Sequence, residues 1–431
     1  MPKTSEVGDA VVDRAPVQLR RADARALIVV YVVLFIGFLG YSLMITVFTP
    51  MILEGRSAIV AAGTPGSRRT IMLGLLLCLY PLGQFVGSPI IGALSDRFGR
   101  KPVLMISLIA TTACYAIIAA ALDYVSFATL CAASFVAGLS EANIVTAQSA
   151  ISDVIPPDDR NRYFGYIYMS VSAAYIVGPL AGGKLADRSL ASWCGYSTPF
   201  WVVFVLLVIT IMATLVAFTE TKPPEARQQV SYFEAFTNLE WVFKDRRLRH
   251  LYAVNFLLYL AIFGFFRCYP MYLVDEYKLG VSKVSEFIAW VGVPIVMANL
   301  GLTGALSRHF SARGMTIWSG ILTGAMMIIV IVPHAQSAAW VTLFLAALAL
   351  AICLPSCATM LSVSATESEQ GRVMGNNQAL QVGAEALSGL IGGLLASVVV
   401  KLSLVVLGGV AIAGGLLLLA SHAARNEAAN V

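Results

Sequence analysis

Charge is scarce in this chain: Asp, Glu, Lys and Arg make up 12% of its 431 residues, about half the share of a soluble protein. That scarcity excludes a large solvated surface. No nucleophile–base pair, phosphate-binding glycine loop or zinc-ligand spacing is present, so the sequence predicts no enzymatic chemistry, no ATP use, no cofactor and no metal. Six of the seven cysteines (Cys78, Cys114, Cys131, Cys268, Cys353 and Cys357) lie inside apolar runs and fit packing better than a disulfide framework. Cys353 and Cys357 share a helix face, but no His or carboxylate is spaced to complete a metal site. Residues 1–25 lack the apolar core and small-residue cleavage site of a secretory signal and read as a polar tail on the cytoplasmic side. The net charge of +5 carries no message about nucleic acid, and no such partner is expected.

What fills the chain is apolar: 58% of its residues, with a mean hydropathy of +0.80. A spanning helix needs roughly 20 such residues. Candidate spans are 26–48, 70–91, 103–122, 125–147, 164–186 and 199–218, then 251–274, 286–306, 315–332, 338–360, 375–398 and 402–419. The expected organisation is a tail (1–25), a six-helix bundle (26–218), a linker (219–250), a second six-helix bundle (251–420) and a short tail (421–431). In the linker, Tyr232, Phe233, Phe236, Leu239 and Trp241 precede a basic cluster at 244–249, a pattern for an amphipathic helix on the inner leaflet. With the N-terminus inside, twenty Lys and Arg fall on that side against seven opposite, leaving Lys184 and Arg267 within spans. Both termini are therefore expected in the cytoplasm.

One polar loop interrupts the apolar pattern at Gly92-Ala93-Leu94-Ser95-Asp96-Arg97-Phe98-Gly99-Arg100-Lys101-Pro102. It cannot sit in hydrocarbon, and Gly92 and Gly99 are read as bracketing its turn. This stretch resembles the signature loop between helices 2 and 3 of the major facilitator superfamily. The resemblance implies an all-α integral membrane protein with 12 transmembrane helices in two six-helix halves. An internal repeat agrees: Gly92-Ala-Leu-Ser95 returns as Gly304-Ala-Leu-Ser307, and Gly182-Gly183 as Gly392-Gly393. Arg308 stands in the second copy where Asp96 stands in the first. Repeated halves in transporters place the substrate site between them near the midplane. The resemblance further implies that Asp153 pairs with Arg100 and that Asp96 faces the start of helix 11 near Gly375. Asp96, Arg97, Arg100 and Asp153, with Gly92 and Gly99, would then form a gate latch.

In the fifth span, Gly178-Pro179-Leu180-Ala181-Gly182-Gly183 is similar to a motif of the superfamily's proton-coupled exporters, with Ala174 replacing one glycine. Physically, Pro179 removes a helix hydrogen bond and the glycines permit close packing. Three ionisable groups lie within spans and are the leading proton or substrate candidates: Glu141, Arg267 and Glu385. Asn143, Gln378 and Gln381 add polar candidates, with Gln84, Gln148, Asn255 and Asn299 behind them; Tyr41, Tyr175 and Phe265 add aromatic surface. Glu385 ranks first as proton carrier, ahead of Glu141, because it lies about 15 Å into its span. The competing reading pairs it with Arg267 across the cavity. Two positions depart from the resemblance: Ser134 replaces an arginine common on helix 4, and the first span has no acid. The favoured function is proton-coupled export of a small molecule or drug by a monomer in a bacterial inner membrane. The alternative is import of a metabolite or siderophore-like compound, and the third reading is a non-transporting receptor.

Overall fold

A computed structural model describes residues 21–54, 59–61, 63–124, 126–141, 143–156, 160–222, 242, 244–245, 247–366 and 369–429. Most of the linker expected to carry an amphipathic helix, including residues 223–241, lies outside them. The described residues form twelve helices: α1 (Arg21–Leu53), α2 (Gly66–Phe98), α3 (Arg100–Asp123), α4 (Phe127–Val154), α5 (Arg160–Ala186), α6 (Thr198–Ala217), α7 (Arg249–Tyr277), α8 (Val281–Ser307), α9 (Ala312–Ile329), α10 (Gln336–Ser364), α11 (Gln370–Val398) and α12 (Val400–Ala429). Eleven are long and apolar enough to cross a membrane. The exception, α5, has 27 residues but carries four tyrosines and four glycines.

Local chemistry sets the helix ends. Ser126 and Ser311 cap α4 and α9 by accepting the N–H groups of Thr129 and Gly314. A left-handed Lys278 (φ 52°) stops α7. Between α2 and α3 stands a single residue, Gly99, at φ 100°, a conformation that a Cβ would strain. Gly92 does not share in that turn: it lies inside α2, which continues to Phe98. Several helices also outrun their expected spans. Helix α1 begins at Arg21, with Asp23 in its first turn where the helix dipole favours an acid. Helix α12 runs to Ala429 through alanine-rich sequence of high helix propensity. Two helices are irregular near their middles: α4 breaks between Ser140 and Asn143, and α8 contains a π-turn at Ala298–Leu302.

Apart from a small cluster of Ile91, Val103 and Leu94, buried apolar side chains divide into two cores. One is built almost wholly from α1–α6, with Phe48, Tyr115 and Phe200 at its centre. The other is built from α7–α12, around Phe265, Phe287 and Leu350. The halves meet where glycines remove side chains from the interface. A Cβ added at Gly74 of α2 would stand 2.7 Å from Gly389 O and from the Cα of Gly393 on α11. On the other pair, Gly183 of α5 abuts Val281 O and Ser285 of α8. Beside it, Lys184 Nζ donates to Ser282 Oγ (2.8 Å) and Glu286 Oε1 (2.6 Å). Toward the Asp96 end these contacts lapse. Gln378 and Gln381 are half-exposed, and a Cβ at Gly371 or Gly375 would meet nothing within 4 Å. The glycine seams and the Lys184 bonds thus join the halves at the end away from Asp96.

Candidate transport site

Arg267 is 1% exposed and Glu385 7%, so a charge on either is costly without a partner. Arg267 Nη2 lies 3.4 Å from Glu385 Oε1. Both belong to the second half, on α7 and α11, so the pair joins neighbouring helices and does not cross the cavity as the sequence reading had it. What crosses is Tyr41 of α1. Its hydroxyl accepts from Arg267 Nη2 at 2.7 Å and donates to Glu385 Oε1 at 2.5 Å. Helix α11 also starts five residues before its expected span, which places Glu385 near the helix centre.

Glu141 stands at the break in α4, 8% exposed. The Tyr80 hydroxyl donates to Oε2, while Oε1 is buried with no hydrogen-bond partner. The carboxylate lies against Gly37 of α1, where any side chain would collide with it. No cation pairs with Glu141 among the described residues. Tyr80 stacks on Tyr41, with centroids 4.5 Å apart and planes at 13°. The two buried acids are therefore joined from α4 to α11 through a stacked tyrosine pair. Tyr175 packs edge-on against Tyr41 and also meets Phe38, each with centroids about 6 Å apart. Phe38, Tyr80, Gln84 and Glu141 share a recess between α1, α2 and α4.

The other sequence candidates scatter. Gln381 and Gln378 sit one and two turns from Glu385 on its face of α11. The Asn143 side chain lies outside the described residues. Gln148 is half-buried on α4, and Asn299 is exposed on the π-turn. Asn255 is buried inside the second half, donating to Cys357 O (2.9 Å) and Asn377 Oδ1 (3.2 Å), and Tyr259 bonds the same Asn377. Phe265 stacks on Tyr269 within the core. The sequence reading missed Tyr80 and Asn377. Tyr80 carries a signal in its spacing, one helical turn before Gln84.

The charged loop forms a compact network. Arg100 donates to Asp153 Oδ2 (Nε, 2.8 Å), Asp96 Oδ1 (Nη1, 2.9 Å) and Ser95 Oγ (3.0 Å). The Arg100–Asp153 pair is thus present. Among the described residues Asp96 makes no bond to α11; Lys222 Nζ takes it at 2.6 Å. Glu220 accepts the backbone N–H groups of Arg100 (2.8 Å) and Lys101 (3.1 Å), occupying the orphan donors that open α3. The Arg97 guanidinium lies 5.1 Å above the Phe98 ring. In α5 the glycines divide by face. Gly178 and Gly182 pack on α1 within their own half, against Leu39 and Leu43, while Gly183 meets α8 of the other. Pro179 lies between them, inside the helix.

Two six-helix halves closed around buried ionisable groups define an integral membrane transport protein. The Major Facilitator Superfamily model matches residues 30–375, and the chain belongs to that superfamily, a family of transporters and not of enzymes. It is 27% identical over 308 residues to the class C tetracycline resistance protein of Escherichia coli, covering 71% of this chain and 75% of that one. The fold resembles the crystal structure of the human organic anion transporter MFSD10 (TETRAN): TM-score 0.68, 19% identity, 94% of this chain and 100% of that one. A D-xylose–proton symporter gives a TM-score of 0.71 at 14% identity, covering 91% and 97%.

Proposed function

We propose that this transporter couples outward movement of a small molecule to inward movement of protons. The two halves, residues 26–218 and 251–420, would rock about the midplane as units. Lys and Arg bias supports a cytoplasmic location for both termini and for the Asp96 end. Similarity to tetracycline resistance proteins supports export and a bacterial inner membrane. The Asp96–Arg100–Asp153 network and the α5 glycines serve as gate and packing surfaces.

We assign the proton to Glu141. The observation that carries this is the missing cation: Glu385 has Arg267 at 3.4 Å, whereas Glu141 Oε1 is buried with no partner. A carboxylate so placed is costly when ionised and inexpensive when protonated. Glu385 then holds Arg267 in place and serves the architecture. Reconstituted protein with an imposed pH gradient tests the assignment. Glu141→Gln should retain cargo binding and lose gradient-driven movement. Full gradient response in that variant returns the proton to Glu385.

A further inference from the structure

Both hydrogen bonds of the Tyr41 side chain cross between the halves. From α1 its hydroxyl reaches Arg267 of α7 at 2.7 Å and Glu385 of α11 at 2.5 Å, and each bond is assisted by a charge on the far side. The ring behind that hydroxyl is 3% exposed. Tyr80 covers one face of it and Tyr175 meets it edge-on. A ring packed in this way shifts only with its neighbours.

Tyr80 is the neighbour that a proton can move. An ionised carboxylate is an acceptor only, so an ionised Glu141 keeps the Tyr80 O–H pointed at Oε2. A protonated Glu141 has a donor of its own and releases that demand. A second acceptor stands on α3: the Tyr115 hydroxyl faces Tyr80 and is buried with no hydrogen-bond partner. Tyr80 therefore has two mates, one favoured by the charge on Glu141 and one available when the charge is gone.

The other titratable groups around the two acids are tyrosines and thiols. Glu141 is faced by Tyr80 from α2, by Cys114 and Tyr115 from α3 and by Tyr175 from α5. Arg267 and Glu385 are faced by Tyr41 and Tyr175, with the thiols of Cys78 and Cys268 near the guanidinium. Such groups ordinarily titrate at about 8.5 (Cys) and about 10 (Tyr), and no histidine is among them.

We infer that Tyr41 is a positioning residue that carries the protonation state of Glu141 to the other half. An ionised Glu141 holds Tyr80, Tyr80 holds the Tyr41 ring, and Tyr41 holds Arg267 and Glu385. Protonation lets Tyr80 donate to Tyr115 instead, the stack loosens, and the bonds across the halves break. The proton stays on Glu141 throughout; only hydrogen bonds are exchanged. The device has two states, bridge made and bridge broken, and Glu141 biases them. This rests on Glu141 as the group that takes the proton.

Two measurements on the purified full chain, followed through a pH titration, test the relay. Infrared difference spectra report protonated Glu141 as the carboxyl band that Glu141→Gln removes. Hydrogen–deuterium exchange, read by mass spectrometry and corrected for intrinsic rates, reports the opening of α7 and α11 around Arg267 and Glu385. In the native protein that exchange should rise by about fivefold or more in step with the carboxyl band, the low end of coupling between sites. In Glu141→Gln, and in Tyr41→Phe, which keeps the ring, it should be high and independent of pH. Tyr80→Phe should also flatten the profile, which tests the relay even if Tyr41→Phe does not fold. Exchange that is raised in Tyr41→Phe but still follows the band makes Tyr41 a structural contact and overturns the relay. A band with no exchange response in the native protein overturns the relay alone, whereas absence of the band takes the proton from Glu141 and the relay with it.

Discussion

Replacing Arg267 by methionine should destabilise the protein far more than replacing Arg267 and Glu385 together. At 3.4 Å and an effective dielectric of about 20, the two charges attract by about 5 kcal/mol. Removing one partner leaves the other buried without compensation, a loss of about 3–5 kcal/mol. Arg267→Met strands Glu385 beside the Tyr41 hydroxyl, and Glu385→Gln strands a guanidinium that is 1% exposed. The double variant Arg267→Met/Glu385→Gln buries no charge, so most of the loss should return. Thermal unfolding in detergent, followed with a thiol-reactive dye, measures this directly, since six of the seven free cysteines are buried and react only on opening. The expected coupling between the two sites is about 3 kcal/mol or more. Strictly additive losses would refute the pair and reopen Glu385 as a group that titrates during transport.

Gly182→Leu and Gly183→Leu should differ. The first strikes Leu43 inside one half and should lower stability by about 1–3 kcal/mol. The second strikes Val281 O and Ser285 across the halves, so it should spare folding and block transport, as cysteine crosslinking of α5 to α8 would report. Asp96→Asn should slow transport in a protein that still inserts, because it weakens the hold of Arg100 and Lys222 together; unchanged kinetics would remove the latch. Hydrogen bonds from Thr366, then from Arg247, lower the Glu369 carboxyl below its ordinary range. Its contribution to stability is present above that ordinary value and fades as pH falls through the lowered one. Arg247→Met should flatten the acid limb of a thermal-stability pH profile.

Much of the fold was legible because hydrocarbon leaves a chain few options. Twelve apolar runs, a repeat at Gly92 and Gly304 and a charged loop at Asp96 were enough to outline two six-helix halves. The ends of helices were less legible, since α1 and α12 continue in polar sequence where composition no longer separates membrane from water. Individual candidates were found by cost: a charge inside a span stands out, and Glu141, Arg267 and Glu385 did. Their partners did not stand out, because a tyrosine in a helix carries no mark of what its hydroxyl meets. Tyr41 joins Arg267 from 226 positions away, and no periodicity encodes that distance. Asp96 failed differently. A carboxylate has several possible mates, and Lys222, from beyond α6, supplied the one that the loop motif itself does not contain.

Helix α2 has the proportions of a lever. Its glycine contact with α11 lies at Gly74, and its charged tip at Asp96 lies 22 residues away, about 33 Å along the axis. A pivot at the glycine seam would swing that tip by about 6 Å for every 10° of tilt, enough to exchange one ionic mate for another. With only Gly99 between them, α3 would be dragged along with such a stroke. A small slip at a seam of two bare backbones would thus become a large displacement at the far end of the helix, with the long arm of α2 amplifying it.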